Sequence, residues 1–377
     1  MENILISGGA GFIGSNLALK LDSLGHNVRV LDNLSPQIHT NSKEDSQLYQ
    51  SIKGKVTFIN GDIRNRKDWK NAIANSTIIV HLAAETGTGQ SMYQIEKYVH
   101  VNCGGTAIML DVLANEKHSV KKVVVASSRA IYGEGKYHCE LHGEVYPNER
   151  EDAQMSSGQF EPICRICKQT LSVLATDEDS KIHPSSIYGI TKYDQEQMIL
   201  VTCKSLGILA IALRYQNVYG PGQSLSNPYT GILSIFSTRI LNNNPINIFE
   251  DGKESRDFVF IDDVVNATIL AIQDNKLKSY SFNVGSGVST TVQTVAESLK
   301  KLYQSNVDIN VSGNYRLGDI RHNKADISKI KKYLGFIPKV SFEDGLKQFV
   351  NWVKEQEVNS DNYEQSINEM KDKGLMK

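Results

Sequence analysis

The chain has 377 residues, which is long for one small domain but sufficient for a large α/β domain with a second lobe. Its 41 Lys and Arg residues balance 42 Asp and Glu residues, so no basic surface for nucleic acid is expected. Without a membrane-length apolar run or a visible signal peptide, and with five cysteines too few for a disulfide framework, the chain is predicted to be a cytoplasmic enzyme without membrane partners.

A glycine-rich turn joins the first predicted strand to the first predicted helix. An apolar run over residues 3–7 leads into Gly8-Gly9-Ala10-Gly11-Phe12-Ile13-Gly14, after which leucines recur at helical spacing. Glycines at positions 8, 11 and 14 permit a tight turn and let backbone N–H groups approach a pyrophosphate. The next strand, 28–31, ends in Asp32, whose carboxylate would bind the adenosine ribose and repel a 2′-phosphate. The pattern favours an NAD site over the alternative, a structural turn followed by a surface Asp.

Strands and helices keep alternating beyond this turn. Further elements are predicted as strands at 56–59, 78–84 and 123–127 and a helix at 99–113. Such alternation predicts a doubly wound parallel sheet that binds ligands at the carboxyl ends of its strands. Asp62 lies near one strand end, where it could bind adenine or cap a helix, and the small residues Ala83 and Ala84 end another. Asn102, on the predicted helix, could reach a cofactor or bridge two loops.

Three residues with possible chemistry follow the fifth predicted strand. Ser128 comes directly after the predicted strand 123–127, and a helix is predicted over 187–206. Tyr188 and Lys192 lie four residues apart on that helix and therefore share a face. A free phenol has a pKa near 10, and a neighbouring cation would lower the pKa of Tyr188 toward neutrality. Alone, such a pair also occurs on many solvated helices.

Together with Asn217-Val218-Tyr219-Gly220-Pro221-Gly222, these motifs resemble the extended short-chain dehydrogenase/reductase family, specifically its nucleotide-sugar epimerases and dehydratases. The resemblance runs from residue 2 to about residue 355 in the correct order. It implies a Rossmann-type doubly wound parallel sheet with a smaller C-terminal α/β substrate lobe. It also implies a nucleotide-diphosphate sugar as substrate and a homodimer formed through the helices that follow Val99 and Ile187.

The resemblance implies a role for each motif residue. Tyr188, with Ser128 and Lys192, would take the proton from the sugar 4-hydroxyl while carbon 4 gives a hydride to NAD. The residues expected to contact NAD are Gly8, Gly11, Phe12, Ile13, Gly14, Asp32, Asn33, Asp62, Ile63, Leu82, Ala83, Ala84, Asn102, Tyr188 and Lys192. The residues expected to contact the substrate are Thr86, Ser128, Arg129, Asn217, Arg256, Arg316 and Asp319. Arg256 and Arg316 would bind the diphosphate, because a planar guanidinium suits two phosphate oxygens.

The residues after Ser128 separate two activities within the resembled family. The 4,6-dehydratases carry an Asp-Glu pair directly after the catalytic Thr, whereas this chain has Arg129 and Ala130, so the acid and base for elimination are missing. The patterns over 85–92, 128–135 and 222–231 resemble the branch of dTDP-L-rhamnose 4-epimerases. The predicted reaction is therefore dTDP-L-rhamnose to dTDP-6-deoxy-L-talose. The alternatives are a UDP-sugar or UDP-uronic acid 4-epimerase, a related NAD-dependent oxidoreductase, and a non-catalytic NAD-binding regulator.

An insert is predicted between Ser128 and Tyr188, which stand 60 residues apart, about twice the spacing of simpler family members. It contains two pairs of possible metal ligands, Cys139 with His142 and Cys164 with Cys167. Brought together, these pairs give a closed tetrahedral set of three thiolates and one imidazole for a structural zinc. The alternative is a group of ordinary reduced thiols beside a surface histidine.

The C-terminal half is predicted to be more mixed. Its predicted elements are strands at 209–213, 246–249 and 258–261 and helices at 232–241, 292–302 and 342–356. The predicted domains are a Rossmann domain over 1–215 containing a zinc-ribbon-like insert over 134–186, a nucleotide-sugar lobe over 216–357, and a polar tail over 358–377. The tail is expected to be a peripheral helix or loose.

Overall fold

A computed structural model describes residues 1–39, 46–225, 227, 229, 231–277, 279–356, 361 and 363–377. Their strands are β1 (Asn3–Ser7), β2 (Asn27–Asp32), β3 (Thr57–Asn60), β4 (Ile78–His81), β5 (Lys122–Ser128), β6 (Tyr137–Cys139), β7 (Gly143–Val145), β8 (Ser172–Val173), β9 (Leu209–Tyr215), β10 (Asn217–Tyr219), β11 (Ile246–Ile248), β12 (Ser255–Phe260), β13 (Ser279–Val284), β14 (Ser289–Thr291) and β15 (Ile309–Val311). Their α-helices are α1 (Phe12–Ser23), α2 (Pro36–His39), α3 (Gln47–Ile52), α4 (Arg66–Ile73), α5 (Thr88–Ser91), α6 (Ile95–Tyr98), α7 (Gly105–Asn115), α8 (Asp152–Ser156), α9 (Ile187–Leu206), α10 (Ile232–Leu241), α11 (Ile261–Gln273), α12 (Val292–Tyr303), α13 (Ser328–Leu334), α14 (Phe342–Lys354) and α15 (Tyr363–Asp372).

The central sheet is parallel and has the order β13-β9-β5-β4-β1-β2-β3. Successive side chains of a strand point to opposite faces, so each inner strand contributes to two cores. On β1, Ile4 and Ile6 join the core that contains α1 and α11, whereas Leu5 joins the core that contains α4 and α7. The predicted Rossmann-type doubly wound sheet is therefore confirmed. Because β1 lies between β2 and β4, the strand order reverses beside it, and ligands bind at such a point.

The smaller lobe contains two short sheets, β10-β12-β14 and β11-β15, packed with α10, α12 and α14. One strand from this half of the chain returns to the main sheet, since β13 pairs with β9 along its whole length. The division at residue 215 remains a prediction, and it does not separate the two lobes cleanly in sequence. A third small sheet, β7-β6-β8, lies in the insert.

Two predicted helices, α9 and α10, have the bounds expected from the sequence. The helix expected over 99–113 was wrong in its start, because helical structure begins at α6 and passes through a π-helical turn, Val99–Gly104, before α7.

The predicted polar tail contains an ordered helix. α15 buries Tyr363, Ile367 and Met370 together with Met376, so the loose-tail alternative is wrong for the described part. Residues 358–360 and 362 lie outside the described residues, as do positions 226, 228 and 230 of the quoted 222–231 pattern. No helix among the described residues has the length and hydrophobicity needed to cross a membrane.

Candidate functional site

A cavity of about 600 Å³ opens at the carboxyl edge of the central sheet. It is lined by nearly all of the predicted site residues: Gly8, Gly11, Phe12, Ile13, Gly14, Asp32, Asn33, Asp62, Ile63, Leu82, Ala83, Ala84, Thr86, Ser128, Arg129, Tyr188, Lys192, Asn217, Arg256, Arg316 and Asp319. Residues far apart in the chain meet here because parallel strands bring their carboxyl ends to one edge.

The glycine turn leaves no room for side chains at two of its three positions. A Cβ on Gly8, whose φ is +71°, would lie 2.7 Å from the backbone nitrogen of Ala83, and one on Gly14 would lie 2.3 Å from the Gly8 oxygen. At Gly11 a Cβ would contact only the Gly8 oxygen at 3.4 Å, so this position faces open space at the start of α1. That cradle fits the pyrophosphate of NAD, held by backbone N–H groups.

Two carboxylates lie at the adenosine side of this turn. Asp32 accepts hydrogen bonds from the backbone nitrogens of Ala10 (3.0 Å) and Leu34 (2.9 Å), and it thereby fixes the turn. Asp62 pairs with Arg64 at 2.7 Å, and hydrogen bonds from Arg64 outweigh burial and lower the pKa of Asp62 to about 2. The alternative role of Asp62 as a helix cap was wrong, because Asn65 caps α4.

Asn102 departs from its predicted cofactor contact. Its side chain is fully buried and does not line the cavity. Its oxygen accepts from the Glu85 nitrogen at 2.7 Å, while its nitrogen donates to the Glu85 oxygen at 3.2 Å and to the Thr191 hydroxyl at 3.0 Å. Asn102 therefore holds the loop after β4 against α9, which is the bridging alternative.

Ser128 and Tyr188 meet where β5 ends and α9 begins. Ser186 caps α9, and the Tyr188 nitrogen donates to the Ser91 hydroxyl at 3.0 Å, so the first turn of the helix is held at the cavity wall. Burial raises the pKa of Tyr188, while its contact with the Ser128 hydroxyl and the Arg129 cation lower the pKa in part.

The expected effect of Lys192 on the pKa of Tyr188 stays a prediction, because Lys192 bonds a different side chain in this structure. The Lys192 ammonium donates to the Gln195 side-chain oxygen at 2.7 Å, and burial lowers the pKa of Lys192 itself to about 7. The chain of contacts continues from Gln195 to Thr106 (2.8 Å) and from Thr106 to His81 (2.9 Å). Lys192 is thus part of a buried polar network across α9, α7 and β4, which its position on one helix face could not reveal.

Three arginines and one carboxylate form the opposite wall. Asp319 pairs with Arg316 at 2.6 Å and with Arg256 at 3.4 Å. Burial would raise the pKa of Asp319, but the cations of Arg316, Arg256 and Arg129 hold it well below its usual value. Burial and the Arg256 cation lower the pKa of Arg129 to about 10. The three guanidiniums around Asp319 are groups of the kind that bind a diphosphate.

Several buried polar atoms that line the cavity have no hydrogen-bond partner among the described residues. They belong to Ser127, Gln216, Asn217, Gln223 and Arg316. Buried polar groups in folded proteins are nearly always paired, so these atoms are suited to bind a polar ligand.

Several residues that line the cavity were not predicted, and one of them lies in the predicted tail. Tyr363 of α15 reaches the cavity, and its ring lies 4.6 Å from the Arg239 guanidinium. The signal was present as apolar residues at 363, 367 and 370, which is the spacing of one helix face.

The four predicted metal ligands come together in the insert. The ligand atoms of Cys139, His142, Cys164 and Cys167 all lie within 4.8 Å of one another. Cys139 Sγ lies 3.4 Å from His142 Nδ1 and 3.5 Å from Cys167 Sγ, and Cys164 Sγ lies 3.5 Å from His142 Nδ1. Zinc bonds of about 2.3 Å to sulfur and 2.0 Å to nitrogen separate tetrahedral ligands by roughly 3.5 to 3.8 Å. The residues therefore fit a zinc ion.

A known family matches most of the chain. The model of the NAD dependent epimerase/dehydratase family matches residues 4–153 and 168–285. The unmatched interval between these stretches lies inside the insert and contains Cys164 and Cys167.

Individual relatives agree with this match. The dTDP-L-rhamnose 4-epimerase of Burkholderia thailandensis is 34% identical over 358 residues, covering 94% of this chain and 96% of the relative. The UDP-glucose 4-epimerase of Thermotoga maritima, solved with UDP-glucose, has a TM-score of 0.74 and 30% identity, covering 93% of this chain and 98% of its own. The UDP-glucuronic acid 4-epimerase of Bacillus cereus, solved with UDP-glucuronic acid and NAD, has a TM-score of 0.74 and 26% identity, with the same coverage. The chain therefore belongs to the NAD dependent epimerase/dehydratase family, as an NAD-dependent nucleotide-sugar epimerase.

Proposed function

We propose that the protein inverts carbon 4 of a nucleotide sugar by transient oxidation, with dTDP-L-rhamnose and dTDP-6-deoxy-L-talose as the substrate pair. The observation that carries this proposal is the position of Ser128 and Tyr188 together on the cavity wall. The pair lines the same cavity as the glycine turn and the arginine wall. Bound NAD supplies the hydride acceptor and donor for such a reaction.

Tyr188 is the proposed acid and base. Its phenolate takes the proton of the 4-hydroxyl as the carbon–hydrogen bond breaks, and its phenol returns the proton when the ketone is reduced on the other face. Ser128 bonds the reacting oxygen. Because burial raises the pKa of Tyr188, positive charge must favour the phenolate, and we assign this role to Arg129 together with Lys192 in its cationic form.

The identity of the sugar depends on few residues. The greatest identity among the relatives described above favours the dTDP-L-rhamnose pair. A UDP-uronic acid is the second candidate, since Arg129 lies close enough to Tyr188 to influence its pKa and could bind a sugar carboxylate.

A panel of nucleotide sugars tests the function. Purified protein is incubated with dTDP-L-rhamnose, UDP-glucose or UDP-glucuronate without added NAD, and the products are identified by NMR. We expect the 4-epimer of dTDP-L-rhamnose without accumulation of NADH. In a parallel incubation with added NAD, NADH formed in proportion to product would instead indicate an oxidoreductase. Conversion of UDP-glucuronate alone would establish the second candidate.

We propose a structural zinc in the insert. Four ligands leave no open position for catalysis, and the small sheet β7-β6-β8 has little apolar core without the metal. Elemental analysis should find one zinc per chain, lost in Cys164→Ser but retained in the control Cys103→Ser. A full zinc content in Cys164→Ser would contradict the assignment.

We further propose a homodimer in the cytoplasm. Large apolar side chains are exposed on α6, the π-helical turn and α9, namely Ile95 (48%), Val99 (45%), Ile190 (43%) and Val201 (66%). Exposed apolar residues on adjacent helices suit a helical interface between two copies.

A further inference from the structure

The cavity wall that carries Arg316 and Asp319 has little regular structure of its own. The 315–322 segment consists of turns and isolated bridges. Two backbone oxygens of this segment accept hydrogen bonds from the Arg256 guanidinium, at 2.9 and 3.0 Å. The positions of both proposed diphosphate-binding arginines therefore depend on how other parts of the chain hold this segment.

The insert holds the backbone of the segment. The Glu134 carboxylate accepts from the Arg321 nitrogen at 2.9 Å, and the Arg150 guanidinium donates to the Asp319 backbone oxygen at 2.9 Å. Glu134 and Arg150 also pair with each other at 3.2 Å, with side chains only 2% and 1% exposed. Hydrogen bonds to charged groups that are buried away from water are strong, and they require well-defined positions of the donor and the acceptor.

The insert also holds the side chains of the segment. Arg321 is wholly buried and donates from two nitrogens to Glu161, at 2.8 and 2.6 Å. The other oxygen of Glu161 lies 3.0 Å from a ring nitrogen of His322. Glu250 and Asp251, from the substrate lobe, complete the set of acids around Arg321. Glu161 is thus the insert's contribution to a buried charge that needs several partners.

The zinc ligands adjoin these contact residues in sequence. Glu134 stands five residues before Cys139, and Glu161 stands three residues before Cys164. The buried apolar cluster of the insert consists of Tyr137, Cys139, Cys164 and Leu171, so half of it is zinc ligands. So small a core cannot order the insert by itself. A bound metal would therefore fix the two stretches of the insert that carry Glu134 and Glu161.

We propose that the zinc-bound insert positions the 315–322 segment for the diphosphate of the substrate, with Glu134, Arg150 and Glu161 as positioning residues. The inference rests on the proposed function, since the diphosphate belongs to the nucleotide sugar. Among the described residues, the bonds of these three side chains do not involve the glycine turn. Loss of the insert's contacts should therefore weaken substrate binding and spare NAD.

The variant Glu161→Gln tests the contact in protein that keeps its zinc. Affinity for dTDP and UDP is measured by calorimetry, and KM and kcat are measured with the sugar that the panel identifies. We expect the affinity for the nucleotide to fall about tenfold and the KM for the sugar to rise by about the same factor. The kcat should stay within about twofold of the unmodified protein, because the lost charge-assisted bonds contribute to binding. Glu144→Gln is the control: Glu144 lies in the same insert, is half exposed, and pairs with Lys136.

Zinc removal tests the role of the metal. A chelator or Cys164→Ser should lower nucleoside-diphosphate affinity by at least as much as Glu161→Gln does, while bound NAD, measured after denaturation, is retained. If Cys164→Ser fails to fold, Glu161→Gln still decides the question.

The proposal is overturned if Glu161→Gln binds dTDP and UDP as the unmodified protein does, if the variant loses NAD equally, or if the unmodified protein binds neither nucleotide. Unmodified protein that binds a nucleoside diphosphate but converts no sugar would contradict the epimerase. In that case a weakened Glu161→Gln would still support the positioning role.

Discussion

Burial opposes the ionisation of the Tyr188 hydroxyl. Because this hydroxyl transfers the proton in the proposed mechanism, it must be essential for turnover. We expect Tyr188→Phe to lower kcat by about 10²- to 10⁴-fold or more, since a positioned acid–base group contributes that much. Bound NAD should remain, because the ring is kept. Activity is followed by NMR, and Tyr193→Phe, on the same helix but not lining the cavity, is the control. Near-normal turnover in Tyr188→Phe would contradict the mechanism.

His81 should make folding sensitive to mild acid. Burial, reinforced by the Lys192 cation, lowers the pKa of His81 to about 3 in the folded protein, against about 6.5 when unfolded. Between these values the unfolded chain binds a proton that the folded chain does not, so stability falls as the pH falls below 6.5. Between pH 7 and 5 the lost free energy of unfolding is about 2 kcal/mol. Urea unfolding of the unmodified protein and His81→Gln should show this difference, whereas parallel pH profiles would contradict it.

Most residues of the predicted site do line the cavity, because the geometry of their motifs is local. The glycine spacing and the four-residue step from Tyr188 to Lys192 are set by one turn and one helix. The lowered pKa of Lys192 and the role of Asn102 could not be predicted the same way. Both depend on burial and on contacts between elements, such as the bond from Gln195 to Thr106 and the bond from the Glu85 nitrogen to Asn102.

At the scale of elements, α15 contributes to the wall of the cavity. Tyr363 lines the cavity and packs against Arg239, while the neighbouring backbone of Leu375 and Lys377 bonds the 315–322 segment. We expect Tyr363→Ala to raise the substrate KM by about three- to tenfold with little change in kcat, because it removes binding surface and no reacting group. Lys371→Ala, at an exposed position of α15, is the control. An unchanged KM in steady-state assays would exclude this role.

The bounds of α9 and α10 were predicted correctly from the sequence. The meeting of the two pairs of metal ligands in the insert was also predictable. A tetrahedral zinc site is often built from two pairs of ligands that lie close together in sequence. The contacts between the insert and the 315–322 segment were not, since Glu134 and Arg321 are 187 residues apart and only the fold brings them together.

At the scale of the whole molecule, the alternation of strands and helices predicted the parallel sheet, because each strand–helix unit forms locally. The return of β13 to β9 is a long-range pairing that no local pattern indicates.

The dimer prediction concerns the exposed apolar surface of α9. Replacing both Ile190 and Val201 with Lys should halve the mass measured by light scattering, because buried charge at an apolar interface is costly. Val288→Lys, at another exposed apolar position, should leave the mass unchanged. A monomeric unmodified protein would refute the dimer.

The most direct measurement of the central claim uses substrate carrying deuterium at carbon 4 of the sugar. Transient oxidation passes the hydride from carbon 4 to bound NAD and back to the same carbon, so the 4-epimer should keep its deuterium in ordinary water, without added NAD and without NADH accumulating. Loss of the deuterium to solvent would contradict the account, and so would NADH formed in proportion to product when NAD is added.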